Sequence, residues 1–298
     1  MLGKLRCLPP PAAALCRPIS SSNWTLSCRP PAPQQLFYQP PPAVSSGCGS
    51  QAWPSSRLVT LAATQAQPAS IRQEPSAYVL DVLRSADGVC FDVDSTLCDD
   101  ESIDEIAAWL GVGDEVAALT ARAMGGTVLF QDALGQRLGV MQVSRQQMEE
   151  YVATHPPRLS KGITELVSRL RQRDVGVFLV SGGFHQVIDP IADLLGIPRA
   201  HVFANTILYN EDGSYAGFDA QEFTSRSGGK AEAVRHIRAV HGLQRVVAVG
   251  DGATDLEARQ PGGAEIFIGY GGAVFRPNIA EQADWYVTDI HEILAALG

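Results

Sequence analysis

GVCFDVDSTLCDDE, residues 88–101, joins a short apolar run to a run of acids. GVCFDV reads as a short strand buried on both faces, because its apolar residues do not alternate with polar ones. Asp92 and Asp94 stand at its end, one residue apart. On an extended backbone, residues two apart face the same side. Two carboxylates placed this way repel each other and resist leaving water. Either the segment is a solvated loop, or a cation makes the pair tolerable.

The flanking pattern sets the context. SIDEIAAWLG puts Ile103, Ile106, Ala107 and Leu110 on one helical face, with Ser102 and Glu105 spaced as a capping box and Gly111 as a stop. DEVAALTARAM continues the helical pattern, and Phe130, Leu134 and Leu138 form a further stripe. SRQQMEEYVATH opens with a second box, Ser144 with Gln147, and Pro156-Pro157 closes the group. No strand pattern occurs between residues 97 and 155, which predicts a small helical module inserted after the first strand. Alternation then resumes. KGITELVSRLRQRD is a helix, VGVFLVSGG a buried strand running into a Gly turn, and HQVIDPIADLLG a helix started or kinked near Pro190. HVFANTILYN and YAGFD, around EDGS, suggest a β-hairpin. KAEAVRHIRAVHG is a helix and RVVAVGDGATD a strand plus loop; EIFIGYGG and DWYVT supply two last strands before a short helix. The expected fold is α/β, a Rossmann-like three-layer core with a mostly parallel sheet. Residues 74–102 and 157–298 form that core, and 103–156 a helical cap.

In such sheets the site lies beyond the C-terminal ends of the strands. Four segments should meet there: Asp92-Val93-Asp94-Ser95-Thr96, Ser181-Gly182-Gly183, Gly229-Lys230 at a helix start, and Gly250-Asp251-Gly252-Ala253-Thr254-Asp255. Clustered carboxylates without His or Cys favour a hard cation, and few ligands with room for water and phosphate favour Mg²⁺ over Ca²⁺. Ser181 and the amides of its glycines offer short donors. Lys230 adds a point charge beside the positive end of a helix dipole. Each motif alone has a bland reading: a polar loop, a turn, a linker, a solvated lysine. Their conjunction, in a compatible order at element ends, describes a phosphoryl-transfer site. One aspartate, already ionised, can attack phosphorus to give a phosphoaspartate. A second, two residues on, can protonate the leaving alkoxide and then activate water.

Composition narrows the remaining classes. The 298 residues suffice for one large domain or a domain with an insert. A formal net charge of -9 argues against sequence-independent nucleic-acid binding. No apolar run approaches a membrane span. Four of the six cysteines, Cys7, Cys16, Cys28 and Cys48, precede the periodic part, and there is no CxxC. Cys90 reads as a small buried hydrophobe. No Asp or Glu occurs before Glu74, whereas Lys4, Arg6, Arg17, Arg29, Arg57 and Arg72 do, amid Ser, Ala and Pro. Residues 1–73 therefore read as a transit peptide rather than a tail without an address; weak helical amphipathicity tilts the destination to the chloroplast, with the mitochondrion as the alternative.

At these motifs the sequence resembles the haloacid dehalogenase-like phosphatases. FDVDSTLCDDESIDEIA, RAMGG, LVSGGF, VFAN, VGDGATDLEA and PGGAEIFIGYGG look like the branch that hydrolyses phosphoserine in eukaryotes and plants, from about residue 87 to the C-terminus. The resemblance implies that Asp92 is the nucleophile and a Mg²⁺ ligand. It makes Asp94 the general acid/base, offering its backbone carbonyl to the metal, and Asp251 the third protein ligand, supported by Asp255. Ser181, Gly182, Gly183 and Lys230 would hold the phosphoryl group, with Thr254 close by. Glu101 would face the ammonium of the serine moiety and Arg137 its carboxylate, while Met124 and Gly125 line the cap side. The implied reaction is hydrolysis of the small molecule O-phospho-L-serine, the last step of the phosphorylated route to serine, with no nucleic-acid or membrane partner and a homodimer allowed. Tyr270 departs conservatively from a position where the family often has Phe. Two rivals stand beside this reading. One is another small phosphate ester, such as phosphothreonine or a sugar phosphate; the Glu101/Arg137 pair speaks against a sugar. The other is a response-regulator-like receiver, which has no helical module after its first strand.

Overall fold

The computed structural model describes residues 73–124 and 129–298. The expected transit segment lies outside the described residues, save Gln73. That residue is tied to the folded core: Trp285 Nε1 donates to its carbonyl at 2.8 Å.

The elements run α1 (Ala77–Ser85), β1 (Gly88–Phe91), α2 (Ser102–Trp109), α3 (Gly113–Met124), α4 (Phe130–Met141), α5 (Arg145–Thr154), α6 (Ile163–Gln172), β2 (Gly176–Phe184), α7 (His185–Leu195), β3 (Val202–Asn205), β4 (Ile207–Tyr209), β5 (Tyr215–Phe218), α8 (Gly229–His241), β6 (Val246–Gly250), α9 (Ala253–Leu256), β7 (Ile266–Tyr270), α10 (Pro277–Ala280), β8 (Trp285–Val287) and α11 (Ile290–Leu297). Six strands form one sheet in the order β3-β2-β1-β6-β7-β8, and all its pairings are parallel. A parallel sheet needs a layer on each face, and β1 supplies both. Val89 and Phe91 point into a cluster with Val82 of α1, Leu166 of α6, Ile191 of α7 and Ile293 of α11. Cys90 points the other way, among Val234 and Ile237 of α8. That burial pushes the Cys90 thiol up to about 12, as expected of an inert packing residue.

The insert after β1 is helical, as its periodicity predicts. Ile106, Leu134, Leu138 and Met148 bury themselves in a third cluster, separate from the two that sandwich the sheet. The Ser144–Gln147 capping box forms at the start of α5. The box expected at Ser102 does not. Glu101 is the N-cap without a side-chain bond, and both the amide and the hydroxyl of Ser102 go to Asp94. The chain enters and leaves the insert along two adjacent passes, joined by an antiparallel bridge between Cys98 and Leu159, with Asp99 N–H to Arg158 O at 3.0 Å and Ser160 N–H to Leu97 O at 2.8 Å, by Ser160 Oγ to Asp99 Oδ1 at 3.0 Å and by an Arg158–Asp100 ion pair.

Two further expectations are corrected. The segment HVFANTILYN splits: β3 is an edge strand of the main sheet, and the antiparallel hairpin is β4–β5 alone. Its Ile207, Tyr209, Tyr215 and Phe218 pack on the helical insert, not on the sheet core. Nor is Ser181-Gly182-Gly183 a turn. β2 runs straight through it to Phe184, with an irregular register against β3 after Val180. The glycines serve close approach instead. A Cβ on Gly183 would lie 2.9 Å from Asp94 Oδ2, and one on Gly182 3.4 Å from the Phe130 ring. Among the described residues no helix is long and apolar enough to cross a membrane.

Candidate active site

The sheet order reverses between β1 and β6: from β1 the chain builds outward through β2 and β3, then returns to lay β6 on the other side. Such a switch point opens a crevice at the C-terminal strand ends. Asp92 leaves β1 and Asp251 leaves β6 at this crevice. Asp92 is still held by the sheet, its N–H donating to Val249 O at 2.9 Å. Its own carboxylate accepts from Val93 N at 2.7 Å. Asp92 and Asp94 are both extended, at φ -68°, ψ 161° and φ -62°, ψ 134°. Ser95 then turns the chain with φ 55°, a left-handed conformation costing a non-glycine residue ~1 kcal/mol. The turn is fixed by Ser95 N–H to Asp100 O at 3.0 Å and by Ser95 Oγ to Glu101 Oε1 at 2.9 Å. It thus sets where Glu101 sits.

Asp92, Asp251 and Asp255 are all buried and present carboxylate oxygens within 4.8 Å of one another. Lys230, the second residue of α8, reaches into this group. Its Nζ lies 2.9 Å from Asp92 Oδ2 and 2.7 Å from Asp255 Oδ1. Arg276, in the loop after β7, donates Nε and a terminal N–H to Asp251 Oδ2, both at 2.8 Å, and stands 3.7 Å from Glu101. Three carboxylates thus face two cations, which leaves one negative charge uncompensated. Burial first, then the charge of Asp92, pushes Asp251 and Asp255 above the usual carboxylate range. Burial works against the Lys230 ammonium, but Asp255 and Asp92 outweigh it and hold the lysine charged. A dry, oxygen-only set with uncompensated negative charge fits a hard divalent cation such as Mg²⁺.

Asp94 stands beside this cluster. Its carboxylate accepts from Ser102 N at 3.0 Å and Ser102 Oγ at 3.2 Å, against the bare backbone of Gly183. Burial, Asp92 and Glu101 together raise its pKa to about 7, with Ser102 opposing. One aspartate is thereby held against the Lys230 ammonium while its neighbour is a carboxyl able to give and take a proton near neutrality. Ser181 is fully buried, and its Oγ accepts from Gly183 N at 3.1 Å, so the hydroxyl hydrogen remains to be donated. Asn205 braces this strand, donating to Gly182 O at 2.8 Å while its own Oδ1 accepts from Thr224. Thr254 lies in the first turn of α9, one residue before Asp255, whose Oδ2 accepts from Gly252 N at 3.0 Å.

The structure therefore brings together Asp92, Asp251, Asp255 and Lys230, with Asp94, Ser181, Gly182 and Gly183 alongside. Glu101 faces the same space through Ser95 and Arg276; burial raises its pKa. Arg137 projects from α4; burial lowers its pKa, and Asp104 and Glu101 counter this. Met124 ends α3, its side chain outside what is described, and Gly125 lies outside the described residues. Sequence reasoning missed Arg276, Ser102 and Asn205. The signal for Arg276 was its place in a loop leaving the same sheet edge as the acids. Ser102 was misread as a cap, and nothing in the sequence marked Asn205 as a brace.

Residues 86–263 match the haloacid dehalogenase-like hydrolase family. The chloroplastic phosphoserine phosphatase of Arabidopsis thaliana is 51% identical over 223 residues, covering 75% of this chain and 76% of that one. The phosphoserine phosphatase of Bos taurus is 49% identical, covering 72% of this chain and 94% of that one. Among solved structures, a phospho-aspartyl intermediate analogue of phosphoserine phosphatase superposes with TM-score 0.62 at 30% identity, covering 72% of this chain and 99% of the other. The DsGPDH of Dunaliella salina superposes with TM-score 0.68 at 38% identity over 76% of this chain, which spans only 38% of that protein.

Proposed function

The chain belongs to the haloacid dehalogenase-like hydrolases and, within them, to the phosphoserine phosphatases, and from that premise we infer that it hydrolyses O-phospho-L-serine to L-serine and phosphate through a phosphoaspartate. The observation that carries the mechanism is the pairing of Asp92, pinned by Lys230 at 2.9 Å, with Asp94, a carboxyl of pKa about 7 two residues away.

The carboxylate of Asp92 attacks phosphorus and the bond to the serine oxygen breaks. Asp94 gives its proton to that oxygen, then as the carboxylate takes one from the water that cleaves the phosphoaspartate. Lys230 and the Ser181 hydroxyl, with Gly182 and Gly183 beside them, receive the phosphoryl oxygens, and Thr254 adds a hydroxyl from α9. Asp92, Asp251 and the backbone carbonyl of Asp94 would hold Mg²⁺, with Asp255 adjoining. When bound, the ion supplies the positive charge that lets a carboxylate meet a phosphate dianion. Glu101 takes the substrate ammonium and Arg137 its carboxylate, with Met124 and Gly125 on the cap side. The helical insert closes over them and limits water until the phosphoaspartate must be hydrolysed. The product places the enzyme at the end of a phosphorylated route to serine. Residues 1–73 we read as a plastid address, a reading supported by the chloroplastic relative.

The test is phosphate release from a panel of phosphomonoesters, with Mg²⁺ and with EDTA. Phosphoserine should lead the panel by at least tenfold in kcat/KM, and EDTA should abolish turnover. A flat panel would overturn the substrate; full activity in EDTA would overturn the metal.

A further inference from the structure

Ser181, Gly182 and Gly183 stand where the sheet ladder breaks. β2 and β3 pair Val180 with Phe203 and then Phe184 with Asn205, so three residues of β2 face the single residue Ala204. Extra residues of this kind lose their ladder partners, and the strand can re-aim its side chains. Ser181, Asn205 and Thr224 are all buried. Side chains rather than bulk solvent must therefore supply the missing bonds.

They do so in one connected series. Thr224 Oγ1 donates to Asn205 Oδ1 at 3.1 Å, and Asn205 Nδ2 donates to Gly182 O at 2.8 Å. Gly182 O and the Gly183 N–H belong to one planar peptide group, so pinning the carbonyl fixes the direction of the N–H. That N–H donates to Ser181 Oγ at 3.1 Å. It holds the serine oxygen by a lone pair and leaves the hydroxyl hydrogen to be donated. The other end of the series is anchored beside Lys230. Thr224 lies in the short turn Phe223–Ser225. A Cβ on Gly229 would run into Phe223 O, and Gly229 N–H donates to Arg226 O at 3.1 Å, so this turn is packed hard against the start of α8. Lys230 is the next residue of that helix.

We propose that Thr224 is a positioning residue whose hydroxyl, through Asn205 and the Gly182–Gly183 peptide, sets the aim of the Ser181 hydroxyl and its register with Lys230 around the phosphoryl group. Without that hydroxyl, Asn205 Oδ1 loses its donor in a dry site and the amide can turn away from Gly182 O. The proposal rests on the reading of Ser181 as a phosphoryl-binding group.

The experiment compares Thr224→Val, Thr224→Ser, Ser181→Ala and the double variant of Thr224→Val with Ser181→Ala, in the full chain with Mg²⁺. Two substrates are used, O-phospho-L-serine and p-nitrophenyl phosphate, which have the phosphoryl group in common. Valine keeps the volume and removes the hydroxyl; serine keeps the hydroxyl and removes the methyl. Thr224→Val should lower kcat/KM about tenfold on both substrates, the size expected when a buried acceptor loses its donor. Thr224→Ser should stay within about twofold of the parent, because the bond to Asn205 survives. A role in packing alone reverses that order, since serine leaves a void and valine does not. Ser181→Ala should cost at least about tenfold on both substrates. Added to it, Thr224→Val should cost less than about a further twofold, because the group it aims is gone. Parental activity in Thr224→Val, a loss in Thr224→Ser as large as that in Thr224→Val, or full additivity in the double variant would overturn the positioning role. If Ser181→Ala alone loses nothing, the reading of Ser181 falls and the proposal with it. A cooperative thermal transition above the assay temperature reports that each variant is folded.

Discussion

Lys230→Met removes the cation that two buried carboxylates share. In the native protein Nζ stands 2.9 Å from Asp92 and 2.7 Å from Asp255, with the lysine side chain 11% exposed. At an effective dielectric of about 20, each contact is worth ~6 kcal/mol of gross attraction, most of it offset by desolvation. Methionine fills similar space but leaves Asp92, Asp251 and Asp255 within 4.8 Å of one another and only Arg276 to oppose them. Breaking a buried pair in this way costs about 3–5 kcal/mol. The loss should depend on pH in a definite direction. Asp255 already has a folded pKa above its ordinary value of 3.8. Losing Lys230 raises it further. A carboxylate raised on folding stabilises the fold in acid and gives that stability up as pH rises through the folded pKa. The destabilisation should therefore be larger at pH 8 than at pH 5.5, by about 1 kcal/mol, each pH unit in the window being worth up to ~1.4 kcal/mol. Urea unfolding of EDTA-treated protein at the two pH values measures this. A loss below about 1 kcal/mol at pH 8, or one independent of pH, would refute the argument that Lys230 neutralises the carboxylates.

Asp92→Asn should leave the fold intact and reduce phosphate release to background, since an amide cannot attack phosphorus; turnover within tenfold of the parent would reject Asp92 as nucleophile. Gly250→Ala would drive a Cβ into the Asp255 side chain. It should lose about 1–3 kcal/mol in thermal unfolding and lower kcat as Asp255 leaves Lys230; an unchanged melting temperature would show that the strand end yields. Ser102→Ala removes a bond that favours the charged form of Asp94. The alkaline limb of kcat/KM should move up by about 0.7 pH unit, the equivalent of a ~1 kcal/mol hydrogen bond. An unmoved limb would separate it from Asp94.

Much of this molecule could be read along the chain because local rules reach that far. The apolar run at β1, the stripes of Leu134 and Leu138, and the Ser144–Gln147 box are short-range patterns, and each formed as the periodicity required. The errors came where a contact from outside the segment intervened. Ser102 has the spacing of a cap, but Asp94, eight residues earlier, takes its amide. The glycines after Ser181 look like a turn, but Asp94 and Phe130 press on them and the strand continues. The edge strand Val202–Asn205 was joined to the hairpin because its place beside β2 is a long-range fact.

The sequence by itself determined which acids, hydroxyls and lysine would meet at the sheet edge, since strand ends and the parallel order follow from hydrophobic period and connectivity. Only the tertiary structure decided their partnership: that Asp255 joins Asp92 and Asp251 around Lys230, that Asp94 turns to Ser102, and that Arg276 holds Asp251. Those choices depend on desolvation and on distances across separate strands, and such quantities exist only after the chain has packed.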